Sequence, residues 1–150
     1  MYYAGSGVPQ DVKTAAKWFT LAAAQGHADA QFQLGFMYKE GRGLPQDKEA
    51  AVKWYTRAAD QLHDGAQLNL GVMYARGEGV PQNDVYAHMW SNIAASQGYP
   101  GAAEHRERAA RKMTSSQIER SQELVWKFFR PSDHKDFSRY LARLRKENKR

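Results

Sequence analysis

The chain has 150 residues, which is enough for one cooperative hydrophobic core, and about a quarter of them are charged, as in ordinary globular proteins. It contains no cysteine, which excludes disulfides, thiolate metal sites and cysteine nucleophiles. The formal net charge of +6 is uneven, because residues 1–100 carry a net charge of −1 and residues 101–150 a net charge of +7. The sequence predicts no transmembrane helix, and its first residues do not resemble a signal peptide.

A turn motif, Gly-x-Gly-(Val/Leu)-Pro-Gln-(Asp/Asn), occurs three times. Its prolines lie 36 residues apart, and so do the tryptophans that follow them at Trp18, Trp54 and Trp90. A fixed period of this length indicates a repeat protein with an elongated, stacked core. We predict that each motif joins two helices: a glycine ends the first helix in a left-handed conformation and a proline prevents its continuation. The predicted N-caps of the second helices are Asp11, Asp47, and Asn83 or Asp84.

The chain opens on Met1-Tyr2, which align with Met37-Tyr38 and Met73-Tyr74 in the later copies. The sequence therefore predicts that it begins in the last turn of a helix whose earlier turns are missing. The next helix, at about residues 11–24, would then lack a partner, so we expect Trp18 and Phe19 to be partly exposed. Homodimerisation through this end is a further hypothesis.

The helix after each turn motif is called helix B. In the middle copy its apolar positions are three and four residues apart, which is typical of a helix. They are Ala50, Ala51, Trp54, Tyr55, Ala58 and Ala59. Alanine beside tryptophan predicts close helix packing, so we interpret the tryptophans as core residues rather than ligand-stacking ones. Helix B ends before Gly26 and Gly98, but Leu62 takes the glycine position in the middle copy, and we predict strain in that turn.

The second helix of each pair, helix A, is predicted at about residues 28–40 and 64–76. Apolar residues recur in it at helical spacing: Ala30, Leu34, Met37 and Tyr38, then Ala66, Leu70, Met73 and Tyr74. Gly35 and Gly71 lie inside these helices. An interior glycine costs about 1 kcal/mol relative to alanine, so its recurrence predicts a close approach between helices.

The full pattern, Ala-x3-Leu-Gly-x2-Tyr-x2-Gly-x-Gly-Val-Pro-Gln-Asp-x3-Ala-x2-Trp-Tyr-x2-Ala-Ala-x-Gln-Gly, resembles the Sel1-like repeat (SLR) family. The resemblance covers residues 1–103, with a truncated first repeat, and the third copy has Ser91 in place of the aromatic residue. It implies an all-α fold, a right-handed superhelix of antiparallel helix pairs related to the tetratricopeptide repeats. It also implies non-catalytic roles in assembling complexes, often in bacterial envelope, signalling or host-interaction settings.

Residues 104–131 are predicted to form C-terminal capping helices. The third helix A lies within Pro100–Met113 and is more polar than its predecessors. Thr114-Ser115-Ser116-Gln117 then predicts a capping box. This box begins a helix that Arg130-Pro131 ends. The predicted apolar stripe of the helix comprises Ile118, Val125, Phe128 and Phe129. Residues 132–150 form a predicted basic C-terminal helix or tail, whose cationic positions are Lys135, Arg139, Arg143, Arg145 and Lys146.

The sequence contains no recognised catalytic, metal-binding or phosphate-binding motif. The five histidines form neither His-Glu-x-x-His nor an i, i+4 pair, so we predict no metal site. No Gly-x-Ser-x-Gly motif occurs, and the glycine-rich turns lack the preceding strand and the following Lys-Ser/Thr of a phosphate-binding loop. We therefore predict that the protein is not an enzyme, with no catalytic residues and no cofactor.

The candidate binding surface is the second face of helix A, which lines the concave side of helix-pair solenoids. Its members are Phe32, Gln33, Phe36, Lys39, Glu40, Leu68, Asn69, Val72 and Arg76. In an alternative interpretation, the two phenylalanines pack against the neighbouring helix B instead. The predicted function is a scaffold or adaptor that binds a protein or peptide on this surface.

A second hypothesis is recruitment of nucleic acid or an anionic surface by the basic C-terminal helix. The arginines there lack an aromatic stacking platform, which argues against nucleic acid. The sequence leaves the compartment open. The resemblance favours a bacterial protein, with export to the envelope or medium if a signal peptide precedes these residues.

Overall fold

The computed structural model describes residues 9–130, and all regular secondary structure within them is helical. The helices there are α1 (Pro9–Ala24), α2 (Ala28–Glu40), α3 (Lys48–Asp60), α4 (Asp64–Arg76), α5 (Asp84–Ser96), α6 (Ala102–Ala110) and α7 (Ser115–Phe129). Helices α1, α3 and α5 are the helices B, and α2, α4 and α6 occupy the helix A positions. The predicted all-α superhelix of helix pairs is confirmed. No helix in residues 9–130 is long and apolar enough to cross a membrane.

The turns from helix A to helix B have the predicted geometry. Gly41 and Gly77 follow α2 and α4 in the left-handed region, each with φ of 69°. The side chain of Asp47 caps α3 by accepting from the Ala50 amide at 3.0 Å, and Asn83 caps α5 in the same way. The prediction for Asp11 is wrong, because α1 begins at Pro9 and Asp11 lies in its first turn. Proline is favoured at the start of a helix, where its missing N–H has no partner to lose.

Consecutive helices from α1 to α6 pack against each other, and α7 packs against α5. The main core cluster extends from α3 to α7 and includes Tyr55, Leu70 and Trp90. A smaller cluster joins the end of α1 to α2 around Ala23 and Leu34. The buried residues therefore form two clusters in succession along the helix pairs, with Tyr38 packed against both, as expected for an elongated solenoid core.

Burial of the three tryptophans increases along the chain. Trp90 is 1% exposed, Trp54 is half-buried against the smaller cluster, and Trp18 is 67% exposed. The prediction that the tryptophans are core residues is therefore wrong for Trp18, whereas the exposure predicted for Trp18 is confirmed. Trp54 packs beside the helix A that precedes it, and no described helix precedes α1. Phe19 is half-buried, whereas Leu21 on the same helix is 58% exposed.

The interior glycines mark close contacts between helices A and B, as predicted. A Cβ atom at Gly35 would lie 2.9 Å from the ring of Tyr55. A Cβ at Gly71 would lie 2.8 Å from the hydroxyl of Ser91 and 3.2 Å from the carbonyl oxygen of Ala87. The 2.9 Å and 2.8 Å distances are shorter than Cβ contacts in real proteins, so a side chain at either glycine would force its neighbour to shift.

A repeated glutamine closes the other turn, from helix B to helix A. Gln67 is fully buried and donates from Nε2 to the carbonyl oxygen of Ala59 at 3.1 Å. Gln31 makes the equivalent bond to Ala23 in the preceding copy. Each carbonyl also accepts from a turn amide, that of Gly26 or Leu62, so the glutamine adds a second bond that ties helix A to the end of helix B. This function of the glutamines was not predicted from the sequence.

The C-terminal helices close the core. Thr114 and Gln117 form the predicted capping box, and α7 ends at Phe129 as expected. The face of α7 that is buried contains Ser121, Leu124 and Phe128. The predicted stripe is thus rotated, because Phe129 is 43% exposed and two other members are only half-buried, namely Ile118 and Val125. The basic positions predicted in residues 132–150 lie outside the described residues.

Helix α7 is held to α5 by a buried polar contact. His88 Nδ1 lies 2.6 Å from the Ser121 hydroxyl, and both residues are buried. Trp90 adds an edge-to-face contact with Phe128, with ring centroids 5.7 Å apart. Burial lowers the pKa of His88, and the positive charge of Arg106 lowers it further. The imidazole at this contact is therefore neutral at neutral pH.

Candidate partner-binding surface

The predicted surface residues occupy matching positions on α2 and α4, 36 residues apart. Its most exposed members are Gln33 and Glu40 on α2 and Arg76 on α4. The half-buried members are Phe32, Phe36, Lys39, Leu68, Asn69 and Val72. The next 36-residue step reaches Arg108 on α6 and Lys112 in the turn after it, which correspond to Val72 and Arg76. The matching positions therefore continue past α4, and this part of the surface was not predicted from the sequence.

The two phenylalanines contribute to packing. Phe32 stacks on the ring of His63, with centroids 4.5 Å apart, and makes a tilted contact with Tyr55 at 5.7 Å. Phe36 also packs against the main core cluster. These contacts favour the packing interpretation of both side chains, although each keeps part of its surface accessible.

His63 organises the turn beneath Phe32. Its Nδ1 accepts a hydrogen bond from the Ala66 amide at 3.1 Å, so it acts as the N-cap of α4. Its Nε2 lies 3.1 Å from Asp29 Oδ1, which places the ring proton on Nε2. His27 occupies the equivalent position before α2 but makes no side-chain cap bond. Both histidines thus lie in the turns that join helix B to helix A, and His63 has the additional cap.

Tyr55 connects the surface to the core. Burial raises the pKa of Tyr55 to about 12; the Asn69 side chain opposes the rise and the charge of Glu40 adds to it. The hydroxyl forms no hydrogen bond of good geometry with a described residue, so the contact with Asn69 is a weak one. Tyr55 is therefore an uncharged phenol that fills the space over Gly35 at all physiological pH values.

A cavity of about 140 Å³ lies between α4, α5 and α6. Two of the predicted surface residues, Val72 and Arg76, line it. The buried Ser91 on α5 lies at its base, next to Gly71. The remaining wall residues are Ala75, Asp84, Ala87, His105, Arg108, Ala109 and Lys112. The other seven predicted surface residues lie outside this cavity.

The cavity carries more positive than negative charge. Arg76, Arg108 and Lys112 line it, with Asp84 as the one carboxylate among the lining residues. Arg76 lies 3.6 Å from Glu78, but neither Arg108 nor Lys112 forms an ion pair with any residue in 9–130.

The positive charges at the cavity contribute to a lowered pKa of His105. Desolvation lowers its pKa, the charges of Arg108 and then Arg76 lower it further, and Glu104 opposes them. Protonation would add another positive charge beside the two arginines, which is unfavourable. The ring is therefore neutral at neutral pH, and the cavity favours an anion over a cation.

Other kinds of site have no support in the part of the chain that the structure describes. No group of three or more His, Asp or Glu side chains there could hold a metal ion. The ionisable groups at the cavity are mainly cationic, and no nucleophile paired with a base lies among its lining residues. The geometry therefore suits binding.

The family model of the Sel1 repeat matches three segments of the chain, residues 1–27, 28–61 and 65–99. The chain belongs to the Sel1 repeat family. Sel1 repeat proteins are generally scaffolds for protein interactions and are typically non-catalytic. A comparison with curated proteins gives no match.

Two solved bacterial Sel1-type structures are similar to this chain. A protective antigen present in uropathogenic Escherichia coli strains, which displays an SLR fold, is 30% identical over 91% of the chain, with a TM-score of 0.80. A Sel1 repeat protein from Oxalobacter formigenes is 39% identical over 60% of the chain, with a TM-score of 0.58. The chain spans only 29% and 36% of those two proteins, respectively.

Proposed function

We propose that this Sel1 repeat protein is a non-catalytic scaffold that binds a protein or peptide on the surface formed by its helix A positions. The observation that carries the proposal is the cavity between α4, α5 and α6, which opens within this surface. Binding sites are typically concave, with mainly apolar walls and a few polar groups that orient the ligand. This cavity has mixed walls: Val72 and Ala75 supply apolar surface, and Arg76 and Arg108 supply charged groups that could orient a ligand.

The rest of the surface extends the contact along the solenoid. Accessible parts of Phe36 and Val72 offer apolar area, while Gln33 and Arg76 offer exposed polar groups. Helix pairs hold these side chains on a rigid frame, so little ordering is needed when a partner binds. An extended peptide or a partner helix matches such a surface, because equivalent positions recur at each repeat.

Affinity capture followed by mass spectrometry tests this proposal. The bait is the full chain, treated with nuclease, and the test variant carries Gln33→Ala and Arg76→Ala. The control variant carries Gln25→Ala and Lys53→Ala, which likewise removes one glutamine and one cationic residue, from exposed positions on helices B or their ends. We expect the test variant to lose a protein that the wild type and the control variant both retain. Equal retention by both variants would contradict binding at this surface.

The same experiment examines the basic C-terminal segment. Its positions Lys135, Arg139, Arg143, Arg145 and Lys146 belong to a region of net charge +7, which favours contact with anionic partners. Binding through nucleic acid would disappear after nuclease treatment and would weaken steeply with added salt. Capture that survives both treatments supports the scaffold function instead.

Self-association through α1 is a further part of the proposal. Trp18 and Leu21 are exposed on the same helix, three residues apart, and form an apolar patch. Burial of such a patch between two copies would be favourable. Light scattering at increasing protein concentration should show a dimer that Trp18→Ser abolishes. A monomer at every concentration would refute this part alone.

A further inference from the structure

The cavity exists because one side chain differs between two otherwise equivalent helix pairs. In the pair α2/α3, the ring of Tyr55 covers Gly35 at 2.9 Å. In the pair α4/α5, the residue 36 positions later is Ser91, whose hydroxyl lies 2.8 Å from the Cβ position of Gly71. Serine is much smaller than tyrosine, so the volume that the phenol ring occupies in one repeat is open in the next. The third repeat therefore has a recess at the place where the second repeat is filled.

The size and walls of the recess select its occupant. A protein cavity of about 150 Å³ holds a benzene-sized group, about six heavy atoms, and this one measures about 140 Å³. A glutamate side chain has five heavy atoms. Apolar surface from Val72, Ala87 and Ala109 would contact its methylene groups, while Arg108 and Lys112 would approach its carboxylate.

Two of the three cationic side chains at the recess have no ion-pair partner among the described residues. Arg108 and Lys112 are exposed, lie four residues apart in the chain, and form no ion pair with another residue in 9–130, whereas Arg76 lies beside Glu78. Asp84 and Glu104 are the nearby carboxylates; Asp84 accepts a hydrogen bond from Gln82 at 2.7 Å. Among the lining residues, three cationic groups thus outnumber the single carboxylate of Asp84, and Arg108 and Lys112 are available to an incoming anion.

We propose that this recess binds the carboxylate side chain of an acidic residue in a peptide segment of the partner. The inference deepens the proposed scaffold function and rests on it. A carboxylate at the end of a short apolar stem matches the recess better than a nucleic-acid phosphate does. The lining contains no tryptophan, tyrosine or phenylalanine on which a base could stack, and the wide phosphate backbone is difficult to insert into a small recess.

The first test uses defined peptides and the full chain. Blocked hexaglutamate and blocked hexaglutamine are titrated separately, and the spectra of Gly71, Ser91 and His105 are followed by NMR. We expect saturable shifts of these residues with hexaglutamate only. We also expect the pKa of His105 to rise when hexaglutamate is bound, because the carboxylate offsets the charges of Arg108 and Arg76.

A pair of charge-matched variants tests the site itself. Replacement of Arg108 and Lys112 by glutamine should weaken hexaglutamate binding about tenfold, since each partly exposed ion contact contributes up to about fivefold. The control carries Arg42→Gln and Lys53→Gln, which remove the same net charge from exposed positions outside the recess. This control should change the affinity less than twofold at moderate salt, because distant exposed charges are screened.

Filling the recess gives an independent test. Ser91→Tyr restores the residue type found at position 55 and should abolish the shifts of Gly71 and His105 on peptide addition. Ser91→Ala leaves the recess open and should retain these shifts. Thermal unfolding of both variants shows whether a loss of binding by Ser91→Tyr comes from misfolding.

Three results would overturn the inference. The first is equal weakening by the two charge-matched double variants, which would show only general electrostatic attraction. The second is binding of a short single-stranded oligonucleotide at Gly71 and Ser91 with no response to hexaglutamate, which would assign the recess to phosphate. The third is hexaglutamate binding that is unchanged when Arg108 and Lys112 are replaced. The scaffold function can survive even if the recess is refuted. That outcome requires that the Arg108→Gln, Lys112→Gln variant still captures the partner protein, while the Gln33→Ala, Arg76→Ala variant loses it.

Discussion

The turn at Leu62 provides a quantitative test of how the repeats are joined. Leu62 has φ of 69°, in the left-handed region, whereas the matching residues in the other copies are Gly26 and Gly98 with φ of 96° and 83°. A residue with a side chain pays roughly 1–2 kcal/mol in this conformation. Glycine avoids that cost, but it loses about 0.4–1 kcal/mol more than alanine through the entropy of the unfolded chain. Leu62→Gly should therefore be more stable than Leu62→Ala by about 0.5–1 kcal/mol.

The comparison with alanine matters because Leu62 is 48% exposed and both substitutions remove the same partly buried side chain. For a chain of this size, a difference of 1 kcal/mol corresponds to about 2–4 °C in melting temperature. Urea unfolding and calorimetry of Leu62→Gly and Leu62→Ala measure it. Gly98→Ala is the matched reverse change, since a Cβ there meets nothing within 4 Å, and it should destabilise by a similar amount. If Leu62→Gly were no more stable than Leu62→Ala, the left-handed conformation at this position would be refuted.

Three further predictions concern contacts within and between repeats. Gly35→Ala should destabilise by about 1–3 kcal/mol in urea unfolding, because the new methyl group meets the Tyr55 ring at 2.9 Å; an unchanged midpoint would contradict the close approach. His63→Ala should lower the free energy of unfolding by about 1 kcal/mol through loss of the N-cap. His27→Ala removes no cap bond and should lower it by less than about 0.5 kcal/mol. Equal effects would refute the capping function. The pKa of His88 is lowered in the folded state, so the unfolded state binds more protons. The stabilisation that comes from a neutral His88 is therefore fully present above a pH of about 6.5 and decreases as the pH falls below that value. Urea unfolding between about pH 7.5 and 5.5 should show this decrease, and His88→Gln should reduce it; an identical pH profile in the variant would contradict the assignment.

Signals within a single repeat could be interpreted from sequence because they are local. The glycine at the end of helix A, the cap at Asp47 and the capping box at Thr114 each involve residues within a few positions of one another. The 36-residue period then predicts the helix pairs, and the recurrent Gly35 and Gly71 predict their close contact. The conformation of Leu62 followed from the same comparison between copies.

Features that depend on several repeats at once could not be predicted as well from the sequence. The burial of each tryptophan depends on the neighbouring helices, so identical positions differ between Trp18 and Trp90. The cavity requires three helices and the replacement of an aromatic residue by Ser91, whose consequence emerges only once the helices are packed. The polar composition of α6 was interpreted as a cap surface, so Arg108, and Lys112 in the turn after α6, were not included in the predicted binding surface.

The central claim is that a partner binds on the helix A surface of the solenoid. Site-specific photo-crosslinking measures this directly: a photoreactive amino acid replaces Gln33, an exposed residue of α2, or Lys53, an exposed residue of α3, in the full chain. The account predicts a covalent adduct with the captured partner from position 33 and little or none from position 53. An adduct from position 53 alone would contradict the account and would place the partner on the helix B side.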